Sequence, residues 1–376
     1  MIHADFSQND FLCEKCQLLE LSPATIEQRV QESHLGTQRQ VKKRTHCPLC
    51  RLVAATYPQT WRNGDAREPI VLKWANNRGF YFGDEGHRLV FIQDGSQPAV
   101  SPHQAGRLIR QKVDVELIKT WISTCATNHE TTCRSEPNVI QSPLAPNGLK
   151  FLRVIDVKNE CLVEAAPGDT YVALSYVWGN VRPALLRKHN KTQLSIPGGF
   201  SRIRNDLPRT ISDAMAMVLE IGERYLWVDS LCLVQDDDRD KMDGIQKMDL
   251  IYQGAILTIV AAAGTDANAS LPSSRIGSRH VSQVVEVVKE GVKMISVSPF
   301  YFELSESRYM TRGWTYVMVP PLTPGSYADS GLAFRSLLYR RGVLSFYVTE
   351  CISCAVVRSG ARILSMNSSL RKQTKL

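Results

Sequence analysis

Tyr225-Leu226-Trp227-Val228-Asp229 sits between a segment with helical apolar spacing and the acidic run Asp236-Asp237-Asp238, near the middle of a 376-residue chain. Its apolar and aromatic residues, closed by an aspartate, read as a short buried strand. Upstream, Ile211, Ala214, Met215, Val218 and Leu219 fall on one helical stripe, which Leu207-Pro208-Arg209-Thr210 opens. Gly222 ends that helix, because a left-handed cap favours glycine. Downstream, Met242, Ile245, Met248 and Tyr252 mark a second helix, and Gly254 hands over to the apolar run Ala255 to Ala263. Tyr171-Val172-Ala173-Leu174-Ser175-Tyr176 and the earlier Leu149 to Val157 read as strands. This alternation of strand and helix predicts an α/β fold, a parallel sheet flanked by helices.

Composition sets outer limits. Hydrophobic residues make up 43% and charged residues 22%, which excludes a disordered, collagenous or coiled-coil chain. The longest apolar run, Ala255 to Ala263, is interrupted by Thr258 and falls short of the about 20 residues a membrane-spanning helix needs. Met1-Ile2-His3-Ala4-Asp5-Phe6 lacks the basic start and apolar stretch of a secretory signal. A cytoplasmic location without membrane attachment is therefore expected, with the ten cysteines as thiols or metal ligands. The net charge of +8 is uneven, since residues 331–376 hold eight Arg and Lys against one Glu. A nucleic-acid partner is accordingly not expected.

Residues 1–134 read as a small α+β region that contains six of the cysteines, and the Pro- and Ser-containing stretch 135–148 as a linker. Cys13 and Cys16, then Cys47 and Cys50, form two Cys-x2-Cys pairs, and four sulfurs suit a tetrahedral structural zinc site. The competing reading keeps Cys47 and Cys50 as small buried hydrophobes beside Leu49, Leu52 and Val53. His46 can replace one sulfur. Cys125, His129 and Cys133 share one helical face with Ile118 and Ile122, and packing is the reading preferred for them.

Three blocks resemble the fungal heterokaryon incompatibility (HET) domain family. They are Tyr171 to Gly179, ending in Ser175-Tyr176-Val177-Trp178-Gly179; Leu207-Pro208-Arg209-Thr210-Ile211 leading to Tyr225 through Asp236 and on to Ala262; and Arg312-Gly313-Trp314-Thr315-Tyr316. The resemblance implies a HET domain over residues 149–316, with a fold like that of Toll/interleukin-receptor (TIR) domains. Val317-Met318 stands where the family pattern has Gln-Glu. Residues 317–336 then read as an unspliced insertion or a surface loop, and 337–376 as a C-terminal remnant with a basic tail.

In open parallel sheets ligands sit at the carboxyl ends of the strands. That rule selects Ser175, Trp178 and Gly179, then Asp229, Ser230 and Cys232, and finally Asp266 as candidate ligand-binding residues. Structural roles stay open for two of them: Trp178 as a core anchor and Asp229 as a cap. The run Asp236 to Asp240 reads as a solvated loop entering a helix. The resemblance implies an allorecognition and cell-death signalling module that acts by self-association or with other HET or immune-type signalling proteins. Because some TIR domains cleave NAD, the alternative is a nucleotide or NAD hydrolase with NAD as its ligand.

Overall fold

The computed structural model of the chain describes residues 10–22, 32–56, 69–75, 79–82, 87–92, 108, 110–128, 152–181, 184–279, 283–297 and 307–311, with the backbone of 335–340, 343–348 and 357–358. The expected linker 135–148, nearly all of 317–336, the block Arg312 to Tyr316, and His129 and Cys133 lie outside the described residues, as does the Cys125 side chain.

In chain order the elements begin with α1 (Glu14–Gln17), β1 (Glu32–Thr37), α2 (Gln38–Lys43), α3 (Pro48–Thr56), β2 (Pro69–Ala75), β3 (Gly79–Phe82), β4 (His87–Phe91) and α4 (Val115–Asn128). They continue with β5 (Arg153–Asp156), β6 (Cys161–Glu164), β7 (Val172–Tyr176), α5 (Lys191–Leu194), α6 (Gly199–Arg202), α7 (Arg209–Glu220), β8 (Tyr225–Val228) and α8 (Asp229–Cys232). Then follow α9 (Asp238–Gln246), α10 (Met248–Gly254), β9 (Leu257–Ala261), β10 (Val285–Lys289), β11 (Val292–Val297), a 3-10 turn at Arg308–Thr311, β12 (Arg335–Arg340), β13 (Val343–Val348) and β14 (Val357–Arg358). One compact unit gathers residues 1–109 with 281–305, and a second gathers chiefly 110–280 with 306–358.

The first unit is built on a six-stranded sheet in the order β1-β2-β3-β4-β11-β10, antiparallel at every pairing. Trp74 on β2 faces Phe80 on β3 across the ladder, with ring centroids 5.0 Å apart in an edge-to-face contact. Leu35, Leu72, Phe82, Leu89, Phe91 and Met294 bury the same core with Val41, Leu49, Leu52 and Val53 from the helices. Thr37 starts α2 through a capping box, its hydroxyl accepting from the Gln40 N–H while the Gln40 carboxamide accepts from the Thr37 N–H. Arg51 on α3 fixes the hairpin β10–β11 to this unit. Its guanidinium donates to both oxygens of Glu286 (2.9 and 2.7 Å) and both oxygens of Asp10 (2.7 and 3.1 Å). These two carboxylates, Glu286 first, hold the guanidinium in its charged form.

The second unit corrects the expected fold class. Its sheet has eight strands in the order β14-β13-β12-β9-β7-β8-β5-β6 and is mixed, not a parallel sheet flanked by helices. β7 pairs in parallel with β8 and β9, and β9 with β12. Antiparallel strands flank both sides, β5 and β6 at one edge and β13 and β14 at the other. Helical cover is thin: α7, with 12 residues, is the longest helix described after residue 150.

The cause lies in turn chemistry. Asp156 accepts from the N–H groups of Lys158 and Asn159 (both 3.0 Å), so the chain reverses there and β6 returns beside β5 as a hairpin. Gly291, at φ +72°, likewise turns β10 into β11, and that hairpin joins the antiparallel sheet of the first unit through β4. A short hairpin joins only antiparallel neighbours.

Within this sheet β7, β8 and β9 form the interior, with Val172, Leu174, Leu226, Trp227, Leu257 and Ile259 fully buried. α7 packs Ile211, Ala214, Met215 and Val218 into that core. It ends in a Schellman motif: the Glu223 N–H donates to Val218 and the Gly222 N–H to Leu219, with Gly222 at φ +89°.

Candidate functional site

Two clusters carry chemistry, one in each unit. In the first unit, Cys13 caps α1, and the N–H groups of Cys16 and Gln17 both donate to the Cys13 carbonyl (2.8 and 3.0 Å). This tight turn projects the two thiols together. Cys47 precedes α3, whose first residue is Pro48, a residue whose fixed φ suits the start of a helix. Cys50 follows within the first turn.

All four sulfurs lie within 4.8 Å of one another, so Cys13, Cys16, Cys47 and Cys50 are close enough to bind one metal ion. The Cys50 sulfur is 3.7 Å from that of Cys13 and 3.8 Å from that of Cys16. A tetrahedron of thiolates at the usual zinc–sulfur distance has edges of about 3.8 Å, whereas a disulfide needs about 2.05 Å. Cys16, Cys47 and Cys50 are fully buried and Cys13 is partly exposed. Hydrogen bonds from Cys16 and Cys50 pull the Cys47 thiol well below its ordinary range, while the bonds to Cys47 and Cys50 together with burial push Cys16 above it. His46 is not part of the cluster; its ring stacks on Phe11 at 4.4 Å.

In the second unit, the carboxyl ends of β7 and β8 bring Trp178 together with Asp229, which is followed by Ser230. Trp178 donates its indole N–H to both oxygens of Asp229 (3.0 and 3.2 Å). Asp229 also accepts from the Ser230 N–H at 2.7 Å, and its carbonyl accepts from the Gln235 carboxamide at 3.0 Å. Ser230, fully buried, accepts from the Tyr176 hydroxyl at 2.9 Å. Ser175 is paired at 2.6 Å with the hydroxyl of Tyr309, which is fully buried in the 3-10 turn. Sequence reading missed Tyr309, because its run Ser307-Arg308-Tyr309-Met310 carries no strand or helix period.

Cys232 lies apart from this group. Its buried thiol faces the β8 backbone, accepting from the Val228 N–H, and burial pushes it up to about 12. Asp266 caps its own loop, its carboxylate accepting from the Asn268 N–H at 2.8 Å, while the Ala267 N–H donates to the Trp178 carbonyl at 3.2 Å.

Gly179 makes that close approach possible. At φ +66°, a Cβ there would stand 2.3 Å from the Asp266 Cβ and 2.8 Å from its Cα. Gly179→Ala is expected to destabilise the protein by about 2–4 kcal/mol, combining left-handed strain with overpacking against backbone. Gly277→Ala, also at positive φ but with open space around it, carries the strain alone. Thermal melts of the two variants separate these contributions, and equal melting temperatures would contradict the close approach.

The acidic run is not a solvated loop throughout. Asp237 caps α9 by accepting from the Arg239 and Asp240 N–H groups, whereas the Asp240 carboxylate pairs with buried Arg153 and accepts from the Val234 N–H at 2.7 Å. Arg153 in turn donates to the Cys232 carbonyl at 3.0 Å. This ion pair fixes the chain leaving β8 onto β5.

No curated protein and no solved structure matches the chain. Residues 171–317 match the family described as Heterokaryon incompatibility protein (HET), a span that opens on β7 and includes the Trp178–Asp229 pair, the hairpin β10–β11 and Tyr309. Residues 171–317 are therefore identified as a heterokaryon incompatibility domain within the chain.

Proposed function

We propose that the protein is a cytoplasmic allorecognition effector whose HET domain arrests growth or triggers cell death when copies self-associate or meet other HET or immune-type signalling proteins. The family match over residues 171–317 carries this reading. The strand-end geometry supports a signalling surface over the hydrolase alternative. Asp229 is engaged by Trp178 and Ser230, and Ser175 by a buried phenol, so these groups serve as a latch between strand ends rather than as a nucleophile with its base. No helix among the described residues is long and apolar enough to cross a membrane.

The same proposal gives the four-cysteine cluster a structural zinc ion, supported by sulfur spacings near those of a tetrahedral thiolate site. Induced expression of the full chain in a filamentous fungus tests the signalling reading. Growth arrest is the expected result, and Trp178→Ala should relieve it while the protein still accumulates. Normal growth with abundant wild-type protein would count against an effector role.

A further inference from the structure

A zinc ion held by four thiolates leaves a core of net charge −2, and three of these four cysteines are fully buried. Buried charge is costly unless a counter-charge or hydrogen bond compensates it. Arg44 is placed to do so. Its Nη1 donates to the Leu35 carbonyl of β1 at 2.6 Å and lies 4.0 Å from the Cys50 sulfur. The backbone of Arg44 is committed to the same corner: its N–H donates to Val41 at the end of α2, and its carbonyl accepts from the N–H of Cys47 (both 3.1 Å). One residue thus caps the helix before the second cysteine pair, orients the first cysteine of that pair and presents a cation to the second.

The other charges on the elements that build the cluster are engaged or exposed. Arg51 is forked between Glu286 and Asp10, and His34 pairs with Glu32. Glu14 and Lys15 on α1, and Arg39, Lys42 and Lys43 on α2, are exposed.

We infer that Arg44 is a positioning residue of the metal centre, an outer partner that stabilises the Cys50 thiolate and ties the tetrathiolate core to β1. The inference rests on the zinc reading above. A sulfur that accepts a charge-assisted hydrogen bond resists protonation, so the centre keeps its metal to lower pH. The guanidinium also links the site to the sheet, because the Leu35 carbonyl it grips belongs to the β1 strand that pairs with β2.

The test uses the purified full chain loaded with zinc, with affinity read by competition against a chromophoric chelator. Arg44→Gln should weaken zinc binding about 10- to 100-fold, the usual cost of losing an outer partner. It should also raise the pH of half-release by roughly 0.3–0.5, because four thiols take up protons as the ion leaves. Arg44→Lys, which restores the charge, should recover most of the release profile, and Arg39→Gln on the same helix should leave both readouts unchanged.

An Arg44→Gln protein with wild-type affinity and release pH would overturn the assignment while leaving the zinc reading intact. Failure of Arg44→Lys to shift the profile back would overturn the charge role. Wild-type protein that takes up no zinc, and gives no thiolate-to-metal charge-transfer band with cobalt, would sink the zinc reading and this inference together.

Discussion

Cys47→Ser is expected to abolish metal binding and to unfold the N-terminal unit. Cys47 is fully buried, and the sulfurs around it come from α1 and α3, elements of four and nine residues. Helices this short do not persist alone in water, so their order depends on tertiary ties. A structural zinc contributes an apparent binding free energy of about 10–16 kcal/mol, comparable to the about 5–15 kcal/mol by which a whole domain is stable. On the proposed zinc reading, loss of one ligand therefore removes much of what holds the unit. Hydrogen exchange gives the readout: protection should vanish across β1 to β4 and persist in β7, β8 and β9. Unchanged protection in β1 to β4, with zinc stoichiometry still at one, would show that the cysteines are merely packed.

Asp240→Ala should cost the second unit about 3–5 kcal/mol, the penalty for leaving one member of a buried ion pair without its partner. The Arg153 side chain is only 6% exposed, so water cannot replace the lost carboxylate. The Val234 N–H loses its acceptor in the same variant. At about 2–4 °C per kcal/mol for a unit of this size, melting should fall by roughly 6–20 °C. The paired change Arg153→Met with Asp240→Leu should recover most of the loss, since a well-packed apolar pair can match a buried salt bridge. Equal melting of the single and paired variants would show that the ion pair contributes no specific coupling.

Individual elements were easier to read in the sequence than their partners. The apolar stripe Ile211, Ala214, Met215 and Val218 marked α7, and Gly222 marked its end, because helix spacing and left-handed caps are local properties. The runs around Val172 and Trp227 likewise lie within β7 and β8. Strand pairing is not local. The run Leu149 to Val157 reads as a single strand past Asp156, whereas the hairpin beyond that aspartate turns the edge of the sheet antiparallel. β11 lies just over 200 residues from the β4 strand it joins, a distance no periodicity reports.

Site residues divide along the same line. The two Cys-x2-Cys pairs were visible as spacing, and the fold brings their sulfurs together. Trp178 and Asp229 were selected by the strand-end rule, and they meet. Cys232 met the same rule but points into the core, because residue order alone does not say which way a short helix after a strand turns its thiol. The partners Tyr309, Arg44 and Arg153 carry no motif. Each is defined by what it touches: a hydroxyl 134 residues away, a sulfur six residues on, and a carboxylate 87 residues on.

Signalling by association is the central claim, and controlled dimerisation tests it most directly. The full chain, fused to a ligand-inducible dimerising module, would be expressed in a filamentous fungus at a level that leaves growth normal. Addition of the dimeriser should arrest growth within the induced cells, and the Trp178→Ala fusion should dimerise without arrest. Normal growth after dimerisation, with the complex recovered intact from those cells, would contradict the account.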